Sequence, residues 1–171
     1  MGPACSWRNR LSEGQDTGAP RRMGPDEDMA AVHALLTVAF SYMEGRIDPP
    51  SSLGRMDVDA LAQAAATAEV WVIEGDDGPL ACVILTPQAD TLYLGKLAVA
   101  HVARGKGLAR RLIGLSLERA QALGLASVSL QTRVELVENH ATFAALGFKV
   151  TGTTAHPGYD RPTTVNFRRS V

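Results

Sequence analysis

Leu97-Ala98-Val99-Ala100-His101-Val102-Ala103-Arg104-Gly105-Lys106-Gly107-Leu108-Ala109 joins the end of an extended run to the start of a helical one, and the choice of fold turns on it. A strand ends at Val99, four residues follow, and the chain then passes through Arg104 and Gly105 into a helix that runs to Leu123 and stops at Gly124. The first N–H groups of a helix have no partner within it, and its dipole is positive at that end. An anion fits such a place. Gly105 and Gly107 lack a Cβ, so a phosphate can approach the main chain, while Arg104, Lys106 and Arg110 add charge, with Arg111 beside them. Two nucleotide-handling loops match poorly. A P-loop needs Ser or Thr after its lysine, and Lys106 is followed by Gly107. A dinucleotide fingerprint needs three glycines and an acidic residue closing the next strand, which here ends Leu130-Gln131-Thr132-Arg133.

Upstream of this segment the hydrophobic period is that of strands. Val70-Trp71-Val72-Ile73, Leu80 to Leu85 and Leu92 to Val99 are separated by Gly75-Asp76-Asp77-Gly78-Pro79 and Pro87-Gln88-Ala89-Asp90, which is turn chemistry for antiparallel neighbours. Before them, Asp26 to Phe40 carries apolar residues at helical spacing behind an acidic first turn, and an alanine-rich helix follows Asp57, its expected N-cap. Between these, Tyr42 to Pro50 is dense in breakers and reads as a loop or a broken helix. Downstream, Ser127 to Thr132 is a strand, His140 to Leu146 a short helix stopped by Gly147, and Phe148-Lys149-Val150 and Thr164 to Phe167 are closing strands. No internal repeat is visible.

With 171 residues, 46% of them apolar, the chain has enough for one core and too little for two ordinary domains. We expect a polar leader over residues 1–18, disordered for want of anything to bury, and a single domain over 19–171. A net charge of −1 argues against nucleic-acid binding through overall charge, and the basic helix start is not interleaved with aromatics. No apolar run approaches the ~18 residues of a membrane helix. Cys5 and Cys82 form neither a disulfide framework nor a metal spacing. The expected setting is cytoplasmic, with no membrane, nucleic-acid or metal partner.

Arg104, Gly107 and Ala109 match, in register, the R/Q-x-x-G-x-G/A loop of the GNAT superfamily of acyl-CoA-dependent N-acyltransferases. Leu97-Ala98-Val99, the order of elements and Leu146-Gly147-Phe148 resemble that superfamily too, over roughly residues 19 to 171. The resemblance implies an α/β fold of the α+β type, with a mixed, mostly antiparallel central sheet and helices on both faces. It also implies acetyl-CoA as cofactor and acetyl transfer by direct attack of a primary amine on a small molecule or peptide. The pyrophosphate would lie on Arg104, Gly105, Lys106, Gly107, Leu108, Ala109 and Arg110, and the pantetheine arm along Leu97, Ala98 and Val99. A backbone N–H freed near Gly95 would serve as oxyanion donor, Leu97 being the first candidate; Gly95 is either a bulge or a gap in packing.

Many members carry a tyrosine four residues before the Gly-Phe pair to protonate the leaving sulfur, and this chain has Phe143 there. The thiolate then leaves unassisted, or water or Thr142 supplies the proton. That departure raises a second reading, a non-catalytic acyl-CoA-binding or regulatory domain. Asn139 is either a cofactor contact or the N-cap of its helix, and His140 reads as a solvated helix residue. Base candidates are His156 and Asp160 in the loop between the last strands, or Glu135 acting through water. Tyr42, Glu44 and Asp48 with Arg46, and His156 with Tyr159, are candidates for the acceptor pocket. The Val165-Asn166-Phe167 strand is expected at an edge able to pair across a homodimer.

Overall fold

The meander expected between Val70 and Val99 forms the middle of a seven-stranded sheet in the computed structural model, which describes residues 17–171. The strands are β1 (Arg21–Met23), β2 (Glu69–Gly75), β3 (Gly78–Pro87), β4 (Thr91–Val99), β5 (Ser127–Arg133), β6 (Lys149–Thr154) and β7 (Thr164–Ser170), in spatial order β1-β2-β3-β4-β5-β7-β6. Every neighbouring pair is antiparallel except β4 with β5. That pair is parallel because the chain crosses back over the sheet through the helix α3 (Leu108–Ala122).

Alternation along the strands divides the core into two layers. Val70, Val72 and Ile84 pack with Val32, Leu36 and Leu61 of the helices α1 (Ala30–Ala39) and α2 (Val58–Thr67). Ile73, Val83, Leu85 and Val128 pack on the opposite face with Leu112 and Ile113 of α3, joined by Phe148 and Phe167. Residues one apart in a strand point to opposite faces, so β2 feeds both layers. The fourth helix, α4 (Val137–Ala145), lies over the second layer through Phe143 and Leu146. Fully burying a side chain of Leu112's size contributes roughly 1.5–3 kcal/mol, so the crossover helix is firmly seated. Its N-terminal loop is therefore held in a fixed place.

Several boundaries differ from expectation for identifiable reasons. Asp26 to Asp28 do not form the first turn of α1: Glu27 turns back to accept from Arg21 Nη1 at 2.7 Å and Gly24 N at 2.6 Å, and Asp28 Oδ1 accepts from Ala30 N at 2.9 Å. Asp57 caps α2 as expected, its Oδ1 accepting from Ala60 N at 2.8 Å. The helix expected from Gly105 begins at Leu108, because Gly105 and Gly107 hold φ of 76° and 78°, outside right-handed helix. Val165-Asn166-Phe167 is not at an edge. β7 inserts between β5 and β6, pairing on both sides, and leaves β1 and β6 as the edges.

The leader expectation lies outside the described residues except at Thr17 and Gly18. These accept from Arg111 Nη1 at 3.1 Å and Nη2 at 3.0 Å. No described helix is long and apolar enough to cross a membrane, and no described group of three or more His, Cys, Asp or Glu is placed to hold a metal ion.

Candidate active site

β4 and β5 pair only from Thr91 with Ser127 to Tyr93 with Ser129, although β4 continues to Val99 and β5 to Arg133. Beyond Tyr93 the sheet therefore opens. A cleft of about 710 Å³ fills the opening, walled by Leu97 and Val99 of β4, Leu130 and Thr132 of β5, and Phe143 and Leu146 beside α4. Ala109, in the first turn of α3, also lines it and connects it to the glycine loop.

The distortion expected at Gly95 falls one residue later. Cys82 pairs with Ala98 and Ile84 with Gly95, so Lys96 and Leu97 together face Val83 alone, which is a β-bulge. Lys96 takes the strain with a φ of 51°, the one positive value at a non-glycine among the described residues. Gly95 has a different duty: a Cβ there would lie 3.3 Å from Tyr93 Cε1. Leu97 thus sits in the bulge itself, where strand pairing is interrupted.

Gly107 is the N-cap of α3 without any side-chain cap, and a Cβ built at Gly105 or Gly107 would meet nothing within 4 Å. Positive φ, and not crowding, is what demands glycine at both. Arg104, Lys106 and Arg110 are exposed around this open helix end. Arg111 does not join them, since its guanidinium holds Thr17 and Gly18. Thr132 Oγ1, on the β5 wall, is buried with no hydrogen-bond partner. An uncapped helix start, an opened sheet and an orphaned hydroxyl along one cleft suit a long ligand with a phosphate at one end and amides along its length.

A roof covers the other side of the cleft. It is made from Ser41 to Arg55, including Ile47, Pro49 and Pro50, and ties to three distant segments. Asn139 Nδ2 donates to Tyr42 Oη at 3.2 Å, Arg46 pairs with Glu138 at 2.7 Å, and Arg133 Nη2 donates to Pro50 O at 3.1 Å. Asp48 accepts from Tyr159 Oη at 2.6 Å and Arg161 Nη2 at 2.9 Å. Arg161 stacks over the Tyr159 ring at 5.5 Å, and Arg46 over the Tyr42 ring at 5.7 Å.

Among the acceptor-side candidates, Tyr42 and His156 line the cleft, whereas Glu44, Asp48 and Tyr159 do not. Glu44 is exposed, and Asp48 and Tyr159 are engaged with each other. Glu135 is likewise absent from the cleft lining; it approaches Arg161 at 3.9 Å and its Oε2 is buried without a partner. His156 packs its Nδ1 2.5 Å from Thr163 Oγ1 and 3.4 Å from Arg133 Nη1. Burial first, then the charges of Arg133 and Arg55, hold its imidazole below the usual histidine range, against an opposing pull from Glu135.

Asn139 lines the cleft from inside α4, whose N-cap is Leu136, so it is not the cap. His140 is half-buried and not solvated: Nε2 donates to Arg133 O at 2.9 Å and its ring lies 5.9 Å from Phe167. Phe143 stands 6.0 Å from Phe148 and 6.1 Å from Phe167 and presents no hydroxyl. Thr142, lining the cleft nearby, donates its hydroxyl to Glu138 O at 3.0 Å.

Three charged cleft residues escaped sequence reasoning: Lys96, Arg133 and Arg55. Lys96 had one signal, as the single charge inside the otherwise apolar run Leu92 to Val99.

The family model for acetyltransferases of the GNAT family matches residues 30–148. No curated protein matches the chain. Among solved structures, the PaiA N-acetyltransferase of Thermoplasma acidophilum in complex with coenzyme A superposes with a TM-score of 0.75 at 12% identity, covering 89% of this chain and 98% of that one. A GNAT family acetyltransferase of Elizabethkingia anophelis with acetyl-CoA bound gives 0.65 at 14% identity, over 92% of this chain and 100% of that one. The IAA acetyltransferase of Bacillus cereus gives 0.64 at 16% identity, over 90% and 99%. At these identities the superpositions speak for the fold, and the family model speaks for descent. Together with the opened β4–β5 pair and the glycine-opened start of α3, they establish that this chain belongs to the GNAT family of acetyltransferases.

Proposed function

We propose that the protein transfers an acetyl group from acetyl-CoA to a primary amine by direct attack. The observation that carries this reading is the continuity of the opened β4–β5 cleft with the uncapped N-terminus of α3. The loop N–H groups from Gly105 to Ala109 bind the pyrophosphate, with Arg104, Lys106 and Arg110 as counter-charge. Leu97, Ala98 and Val99 offer a strand edge to the pantetheine arm, and Asn139 and Phe143 border it. Acetyl-CoA supplies the activated acyl group. In this reading the Leu97 N–H stabilises negative charge developing on the thioester oxygen, which its position in the bulge supports.

Proton traffic falls to two cleft residues. With its pKa held low, His156 is neutral at pH 7 and accepts the amine's proton at Nε2, in the tautomer whose Nδ1–H donates to Thr163 Oγ1. The hydroxyl missing at Phe143 is available from Tyr42, which Asn139 holds one helical turn earlier along α4 at 3.2 Å. Tyr42 accepts that bond and keeps its own proton free for the leaving thiolate.

Free-thiol release from acetyl-CoA across a panel of primary amines tests the reading. Amine-dependent release accompanied by acetylated amine in the mass spectrum is expected. Tight CoA binding without release for any amine would reject it in favour of the non-catalytic domain that Phe143 suggests.

A further inference from the structure

The cleft carries charge of one sign. Arg55, Lys96 and Arg133 line it, with His156, and no aspartate or glutamate does. None of the three cations forms an ion pair among the described residues. Of the carboxylates around them, Glu135 and Asp48 act on Arg133 only through space, Glu135 lying 3.9 Å from Arg161 and Asp48 bonded to Tyr159 and Arg161, while Glu138 pairs with Arg46. Lys96 Nζ donates to Ser52 Oγ at 2.8 Å, in the short turn Ser52–Arg55, and Arg133 Nη2 donates to Pro50 O at 3.1 Å, just before it. Burial and then the charge of Arg133 push Lys96 below the ordinary lysine range.

These charges are separate from the pyrophosphate loop. Lys96 is three residues before the end of β4, roughly 10 Å up the strand at ~3.3 Å per residue, and it turns to the roof instead of to α3. The loop has its own cations in Arg104, Lys106 and Arg110. A second anion is therefore called for beside the bulge.

We propose that the acceptor bears an anionic oxygen group, carboxylate or phosphate, next to its amine, and that Lys96, Arg133 and Arg55 receive it. The identity of the cleft as the acceptor's rests on the acyl-transfer reading above; the class of acceptor rests on the charge. Polyamines and polycationic aminoglycosides are disfavoured, because like charges would meet in a partly desolvated cleft. Amino acids and phosphorylated amines fit.

Calorimetric titration of matched pairs, with and without CoA, tests this: phenylalanine against phenylalaninamide, and phosphoethanolamine against ethanolamine, with spermidine as the polycation. The anionic member of at least one pair should bind about tenfold or more tightly than its neutral partner, and added salt should erode the difference. Which pair separates tells carboxylate from phosphate. R133Q should remove most of the preference, and R55Q, at an exposed position where folding is not at stake, should reduce it. Equal binding within both pairs, or tighter binding of spermidine, would overturn the proposal. Failure of acyl transfer reads out separately, as absence of amine-dependent thiol release while the anion preference persists.

Discussion

Arg104 to Ala109 is one uninterrupted segment whose side chains make no hydrogen bond to any described residue, whereas the roof over the same cleft is stitched from Tyr42, Arg46, Asp48 and Pro50 to α4, β5 and the β6–β7 loop. The first is a main-chain site that depends on φ values of 76° and 78°. The second is a side-chain site that depends on many partners, each replaceable in part. A main-chain site fails abruptly at its glycines and tolerates change elsewhere. A side-chain site loses function by increments.

The largest effect should accordingly come from Gly107→Val. A β-branched residue in left-handed backbone is costly, about 1–2 kcal/mol even for ordinary residues, and its side chain would enter the space open to the phosphate. Calorimetry should show loss of measurable CoA binding with the circular dichroism spectrum retained; Arg104→Ala, by contrast, should weaken binding only a few-fold, by roughly the 0.3–1 kcal/mol of an exposed charge at a helix end. Equal losses in the two variants would break the contrast.

Next in size is His156→Gln, expected to lower kcat/KM about a hundredfold, the scale of a lost general base. The pH profile sharpens this. The neutral imidazole is the active form and its pKa is lowered, so kcat/KM should hold as pH falls past the usual ~6.5 and decline only below it. Removing a cation lets the pKa rise, so in Arg133→Gln the acid limb should move to higher pH. A limb above 6.5 in the unaltered protein would assign the base elsewhere.

Asp48→Asn removes the charge that Tyr159 and Arg161 share but leaves the loop otherwise intact. At an exposed pair worth about 0.2–1 kcal/mol, KM for the amine should rise a few-fold with little change in kcat. The smallest effect should be that of Phe143→Tyr: with Tyr42 supplying the proton, kcat should change by less than about twofold. A large gain would show that the missing hydroxyl limits this chain.

Legibility in the sequence follows the same division. The glycine loop, the strand meander and Asp57 as a cap were readable because each depends on neighbours a few residues away. The bulge at Lys96 and Leu97 was misplaced onto Gly95 because it is defined by register against Val83, not by local conformational freedom. His140 was misread as solvated because its partner, the carbonyl of Arg133, belongs to another element. The edge assignment of β7 failed for a related reason: the hairpin with β6 decides which strand is inserted, and no residue within 165–167 records that choice. Asp48 and Arg161 meet only after the chain has crossed the sheet, so their commitment to each other was invisible.

A crystal structure with CoA bound tests the division of the cleft most directly. The pyrophosphate should lie on the N–H groups between Gly105 and Ala109, and the pantetheine arm should run along Leu97 to Val99 with its sulfur toward the bulge, leaving Lys96, Arg133 and His156 free for the acceptor. A cofactor lying outside the opened β4–β5 gap, or phosphates held by Lys96 and Arg133, would contradict it.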